Sequence, residues 1–251
     1  LFLEELCELV SDKIGEKTKV LRQLRSIVTI RYGAVLNPNI LLSFIQPQPS
    51  KQDFETEIWH LDLNKSQKRA VNTILSDNDL TLIQGPPGTG KTQVIAEACL
   101  QLFRNNPSIK ILVCSETHIA VNNILERVSE LNSEMKILRI QDKEESSSIQ
   151  NYNVETVLKN YSLWIEDNVG NPEVSKILME SFVESEDVKS VEKSLFLSAD
   201  LVGMTCNRVG AYSFNNSAEM FDVVIIDEVC KATLPEILMP LSVCKKAVLV
   251  G

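Results

Sequence analysis

From residue 61 onward the chain alternates short apolar runs with longer stretches in which apolar positions recur every three or four residues. The short runs lie at 80–84, 109–114, 136–140, 200–204, 222–227 and 246–250, and their length and Val/Ile/Leu content predict buried strands. The longer stretches predict helices over 64–76, 91–104, 118–131 and 233–241. In 118–131, Val121, Ile124, Leu125, Val128 and Leu131 form one apolar stripe, which reads as core rather than chemistry. Apolar strands alternating with helices predict an α/β fold, a parallel sheet covered by helices.

Two regions depart from this rhythm. Residues 1–45 have helical periodicity through Leu3, Leu6, Leu9 and Val10, then Val20, Leu21, Leu24, Ile27 and Val28, and 46–53 (Gln-Pro-Gln-Pro-Ser-Lys-Gln-Asp) reads as a linker. The expected division is therefore an N-terminal helical segment with its linker, 1–60, and an alternating α/β domain, 61–251. Residues 141–196 interrupt that domain. They open on a polar, flexible-looking stretch and continue as mostly helical, acidic sequence with Tyr161, Trp164 and Phe182, an expected insertion on the rim of the sheet.

The candidate chemistry begins at 85–92, Gly-Pro-Pro-Gly-Thr-Gly-Lys-Thr, which fits the phosphate-cradling pattern G-x-x-x-x-G-K-[ST]. Gly85, Gly88 and Gly90 let the backbone bring its N–H groups to phosphate oxygens, and Pro86 and Thr89 complete the loop. Lys91 supplies a compact cation for the β- and γ-phosphates, and the Thr92 hydroxyl is a Mg²⁺ ligand. A predicted strand before the loop and a predicted helix after it are the context the motif needs. The partner of such a loop is a carboxylate pair. Asp222-Val-Val-Ile-Ile-Asp227-Glu228 places two acids at the end of a buried strand. Asp227 is expected to hold Mg²⁺, and Glu228 to orient and deprotonate the attacking water. The catalytic set is thus Lys91, Asp227 and Glu228. Upstream, Leu63–Val71 starts a helix, and Gln67 within it can offer its amide to an adenine edge.

Composition narrows the remaining choices. Among 251 residues, 44% are hydrophobic, and no apolar run reaches the roughly 18 residues of a membrane span. The N-terminal ten residues carry three glutamates without a basic flank, unlike a signal peptide, and lack Met, as expected of a piece of a longer chain. Six scattered cysteines with no C-x-x-C pair argue for reduced, buried thiols rather than zinc. A cytoplasmic, nucleoid or nuclear protein is expected, neither secreted nor membrane-bound. The net charge of −9 is concentrated in 141–196, which holds twelve Asp/Glu against five Lys/Arg. Residues 13–31 hold six Lys/Arg against one Glu, so the acidity leaves room for a nucleic-acid groove elsewhere. Trp59 and Trp164 have faces that bases can stack on, though buried packing is the simpler reading.

Together these segments resemble the first RecA-like domain of a superfamily 1 helicase, in the 1B branch of the nonsense-mediated-decay RNA helicase family and its bacterial relatives. Leu63–Val71, with Gln67 in the key place, resembles the adenine-reading Q motif, and Gly85–Thr92 is similar to motif I. Residues 111–123 resemble motif Ia, which grips a single strand, and Ala199–Cys206 resembles the following strand-contacting motif, whose Thr touches a phosphate. Residues 221–235 resemble motif II, and 246–251 the strand into motif III, where the chain stops.

The resemblance implies ATP and Mg²⁺ as cofactors, and single-stranded RNA or DNA as partner, with movement 5′ to 3′. Thr117, His118, Asn122 and Thr205 become the expected strand contacts. It also implies a second RecA-like domain with transition-state arginines, so that this fragment alone binds ATP but hydrolyses it weakly. The acidic insertion is a candidate site for a protein partner. Two positions depart from the family pattern: Lys231 stands for a Gln in motif II, and Asn122 for an Asp in motif Ia. Lys231 and the insertion keep a nucleotide-binding switch open as an alternative, and a ring-type P-loop ATPase is a third reading.

Overall fold

The computed structural model describes residues 14–46, 54–141, 156–157, 173–174, 188–212 and 220–251. Six parallel strands form one sheet: β1 (Leu80–Ile83), β2 (Ile111–Ser115), β3 (Ile137–Arg139), β4 (Leu201–Thr205), β5 (Phe221–Ile226) and β6 (Cys244–Val250). Their order is β1-β6-β5-β2-β4-β3. The helices are α1 (Ile14–Arg31), α2 (Pro38–Ile45), α3 (Lys65–Leu75), α4 (Lys91–Asn105), α5 (His118–Leu131), α6 (Val188–Ser198), α7 (Cys206–Ala211) and α8 (Leu234–Leu241).

The two-residue side-chain period of a strand explains the continuous apolar runs. Ile111, Val113, Val223, Ile225, Val248 and Val250 belong to one buried cluster, with residues of α3, α4 and α5. Leu112, Cys114, Val224, Ile226, Ala247 and Leu249 belong to a second, with Phe196, Val209, Ile237 and Leu241 from α6, α7 and α8. Both faces are covered, so no strand position in the middle of the sheet needs to be polar. Gly203 on β4 permits a close approach: a Cβ there would lie 2.6 Å from Leu125 Cδ1 and 2.8 Å from Val121 Cγ1 of α5.

The helix starts follow local capping chemistry. Asn64 Oδ1 accepts from Gln67 N at 3.0 Å while Gln67 Oε1 accepts from Asn64 N at 2.9 Å, a reciprocal capping box for α3. Thr117 caps α5 and Thr205 caps α7, each through its hydroxyl to the backbone N–H three residues on.

The expected strands and helices from 61 onward all form, with ends shifted by no more than two residues. The short helix α7 is an addition to that plan, while α2 falls within the N-terminal segment expected to be helical. In the N-terminal segment the helix breaks at 32–37, where Gly33 takes a φ of +70°. α1 lies against α7 and α8. Lys19 Nζ pairs with Glu116 at 3.1 Å and with Glu236, and the partners hold its ammonium pKa above the ordinary value: the Glu236 bond outweighs the cost of burial. Asn37 Nδ2 donates to Asp79 Oδ1 and Lys245 O, both at 2.7 Å. Residues 1–13, nearly all of the linker 46–53, and most of the insertion 141–196, with Tyr161, Trp164 and Phe182, lie outside the described residues. No helix among the described residues is long and apolar enough to cross a membrane.

Candidate nucleotide and strand site

The phosphate loop leaves β1 at the carboxyl end of the sheet and enters α4 at Lys91. It is anchored through β6, which lies between β1 and β5. Gly251 N donates to Ile83 O at 3.0 Å, and Gly85 N donates to Gly251 O at 2.8 Å. On the other side, Val229 N donates to Val250 O at 3.0 Å, and Asp227 N to Cys114 O at 2.8 Å. The loop and the carboxylate pair are thus tied to the same strand end. Within the loop, Lys91 Nζ donates to Gly85 O at 2.6 Å and Pro86 O at 3.3 Å, and Thr89 Oγ1 donates to Pro86 O at 2.7 Å. Thr92 is the second residue of α4. Gly88 and Gly90 both take a φ of +79°, a left-handed conformation suited to glycine.

Gln67 reaches this loop from α3. Its Nε2 donates to Thr89 O at 3.0 Å, and a Cβ at Gly90 would sit only 2.5 Å from that nitrogen. With Oε1 on Asn64 N, each end of the amide has one bond and retains capacity for one more.

Asp227 is 6% exposed, and its pKa is raised, chiefly by burial and further by the Glu228 charge; the Glu228 N–H, Lys91 and Lys231 oppose the shift. Glu228 adopts a φ of +55°, the only non-glycine positive φ among the described residues. Its carboxylate is engaged on both oxygens. Lys231 Nζ lies 2.6 Å from Oε1, and Thr117 Oγ1 donates to Oε2 at 3.2 Å.

The expected strand contacts fall on one shelf, at the ends of β2 and β4, where Ser115 and Thr205 are register partners. They differ in exposure. Thr117 and His118 are half-buried, whereas Asn122 and Thr205 are 5% and 7% exposed. Arg139, a fully buried residue of the predicted strand at 136–140, turns Asn122 inward. Its Nε donates to Asn122 Oδ1 at 2.9 Å, its Nη1 to Ile140 O at 2.5 Å and Gly203 O at 3.1 Å, and its Nη2 to His118 Nδ1 at 2.7 Å. A guanidinium has only donors, so His118 Nδ1 is the acceptor and its proton resides on Nε2. Asn122 and His118 are therefore held by one buried cation. The signal in the sequence was a lone Arg in the apolar run Ile137-Leu138-Arg139-Ile140.

Trp59 is part-buried against the first core cluster, with Lys68 Nζ 5.3 Å from its ring centre. Glu97, buried in α4, is another unanticipated polar centre. It accepts from the backbone of His60 and Leu61, from Gln101 Nε2, and lies 3.0 Å from His60 Nδ1. Burial pushes its pKa up, but these donors outweigh burial and leave it below the ordinary value. Among the described residues no group of three His, Cys, Asp or Glu could hold a metal by itself. A hydroxyl at Thr92 and a single carboxylate at Asp227 suit a hard cation that takes its other oxygens from phosphates and water.

A glycine loop opening a helix beside the buried Asp227 and the half-buried Glu228 is the layout of a P-loop nucleotide-binding domain. The AAA domain family model matches residues 62–166 and 171–251. Curated relatives include the ATP-dependent helicase upf1 of Schizosaccharomyces pombe, 32% identical over 88% of this chain and 24% of that protein. The DNA polymerase alpha-associated DNA helicase A of Saccharomyces cerevisiae is 32% identical over 72% of this chain and 30% of that one. The ATP-dependent helicase NAM7 of the same yeast is 31% identical over 90% and 23%. Among solved structures, the UvsW helicase of bacteriophage T4 matches with a TM-score of 0.46 and 17% identity, over 80% of this chain and 56% of that one. The chain belongs to the AAA domain family, and it is similar to ATP-dependent helicases and to regulators of nonsense transcripts. It spans no more than about a third of the length of these curated relatives.

Proposed function

We propose that this domain binds MgATP and supplies the hydrolytic half of a motor that moves on single-stranded RNA or DNA. The observation that carries this reading is the bond from Thr117 to Glu228. It joins the strand-contact segment directly to the candidate base for water. Bound triphosphate would draw Lys91 Nζ from the loop carbonyls Gly85 O and Pro86 O to phosphate oxygens, while Gln67 offers its spare donor and acceptor to adenine. Mg²⁺, held by Thr92, Asp227 and the phosphates, would neutralise developing charge. Glu228 orients water and accepts its proton as the water oxygen bonds to the γ-phosphorus. The bridging P–O bond breaks with its electron pair leaving on ADP.

On the shelf, His118 Nε2–H and Thr117 serve as donors to strand phosphate or sugar, and Asn122 with Thr205 shapes the segments that carry them. The relatives include a protein named as a DNA helicase and others named regulators of nonsense transcripts, so both strand chemistries belong in the assay. The remaining partners in this reading are a second RecA-like domain and a protein at the acidic insertion. The buried free thiols Cys99, Cys114, Cys206 and Cys244 suit a reducing compartment, the cytoplasm or nucleus.

The test is made in the full-length protein containing this chain. Lys91→Ala is expected to abolish ATP turnover, and Glu228→Gln to retain ATP binding while stopping hydrolysis. Full strand-stimulated turnover in both variants would refute the motor, and a stable hexamer without strand stimulation would favour a ring ATPase.

A further inference from the structure

The base is held from two sides by groups with different duties. Lys231 is three residues beyond Glu228, and its backbone N donates to Glu228 O at 2.8 Å. That tight turn sets the Lys231 ammonium 2.6 Å from Oε1. From the opposite side, Thr117 Oγ1 donates to Oε2 at 3.2 Å and accepts from Ala120 N at 3.3 Å. The left-handed φ of +55° at Glu228 is a conformation a non-glycine residue keeps only where its surroundings over-determine it. A carboxylate that must aim water and take its proton needs a free, correctly directed oxygen. Here an ammonium on one oxygen and a hydroxyl on the other fix where the carboxylate points, each taking one of that oxygen's two acceptor positions.

We propose that Lys231 is a positioning residue that, together with Thr117, holds Glu228 away from its water-orienting pose until a strand binds. This role rests on Glu228 being the base. A hydroxyl has one proton to donate. A strand phosphate that receives it from Thr117 removes the bond to Oε2, and Glu228 is then restrained only by Lys231. The Lys231 side chain is 61% exposed, so this second hold is solvent-screened and weak. Strand binding at the shelf is thereby read out at the base through one shared hydroxyl, and Lys231 sets how quiet the strand-free enzyme is.

The experiment is steady-state ATP hydrolysis by the full-length protein, without strand and with oligo-uridylate or oligo-thymidylate. Lys231→Gln is expected to raise strand-free kcat up to about fivefold, the scale an exposed ion pair sustains. The KM for ATP should stay unchanged, and the ratio of stimulated to strand-free rate should fall by the same factor. Lys231→Arg restores the wild-type ratio. Raising the ionic strength brings the wild-type strand-free rate toward that of Lys231→Gln, because screening weakens the pair. Thr117→Ser keeps stimulation, and Thr117→Val raises the strand-free rate while losing most of it.

An unchanged strand-free kcat in Lys231→Gln overturns the role. So does a lower one, since it would make Lys231 a cation for the triphosphate. The parallel variant Glu228→Gln separates the two failures. Hydrolysis surviving there removes the base assignment itself. Hydrolysis lost there, with Lys231→Gln unaltered, removes only the restraint by Lys231.

Discussion

The candidate phosphate loop and the candidate strand-contact shelf sit at the same end of the same sheet, yet they are built on opposite principles. The loop is a local object. Its glycines, lysine and threonine lie within eight consecutive residues, and its internal bonds run between neighbours, Lys91 to Gly85 and Thr89 to Pro86. The shelf is assembled from distant segments around Arg139, which reaches His118, Asn122, Gly203 and Ile140 at once. Damage to the loop should therefore remove chemistry and leave the fold, whereas damage to the shelf should weaken fold and strand binding together.

The largest effect that would sharpen this contrast is Lys91→Ala. Losing a preorganised charge at the phosphates should lower kcat by at least about 10²–10³-fold, effectively abolishing turnover, with the denaturation midpoint of the full-length protein nearly unchanged. A large loss of stability would break the contrast from the loop side.

Arg139→Met is the matching test of the shelf. It deletes the donors to Asn122 Oδ1, Gly203 O and Ile140 O, leaving buried acceptors unsatisfied. We expect a loss of about 2–4 kcal/mol in chemical denaturation. Strand affinity should fall and affinity for an ATP analogue should persist. Equal losses of both affinities would mean the two regions are not separable.

Gly90→Ala tests whether the loop's conformation is as self-contained as its chemistry. The new Cβ would need a φ of +79° and would press on Gln67 Nε2, 2.5 Å away. A cost of about 1–3 kcal/mol is expected, read as weakened nucleotide binding and a modestly lowered midpoint.

The smallest effect concerns pH. The Glu97 carboxyl stays below the ordinary value because donors from Gln101, His60 and Leu61 outweigh its burial. A lowered native pKa means that its stabilisation is complete above the ordinary carboxyl range and is lost as pH falls through the native value. Glu97→Gln should flatten the acid limb of stability against pH without altering its slope above neutrality. An unchanged acid limb would place the effect elsewhere.

Legibility differed between these regions for a physical reason. The strands from Leu80 to Val250 could be read because burial on both faces demands uninterrupted apolar runs. The starts of α3 and α5 are set locally by Asn64 and Thr117, whose caps are bonds between near neighbours. The conformation of the loop at 85–92 was legible because its glycines and lysine stand at set spacing between a strand and a helix. Arg139 was not, since its four acceptors are as far as 64 residues away in sequence. Nor was the inward turn of Asn122, which shares the helical stripe of α5 but is directed by a side chain on β3.

The amino-acid order by itself therefore determined the parallel α/β sheet, the phosphate loop at 85–92 and the acidic pair Asp227-Glu228, because each depends on short-range periodicity, conformation or adjacency. Only the tertiary structure decided that Thr117 meets Glu228 across 111 residues, that Lys231 covers the same carboxylate, and that α1 is pinned through Lys19 to Glu116 and Glu236. Such contacts arise where strand ends from distant parts of the chain converge, and no local pattern specifies which side chains will face one another there.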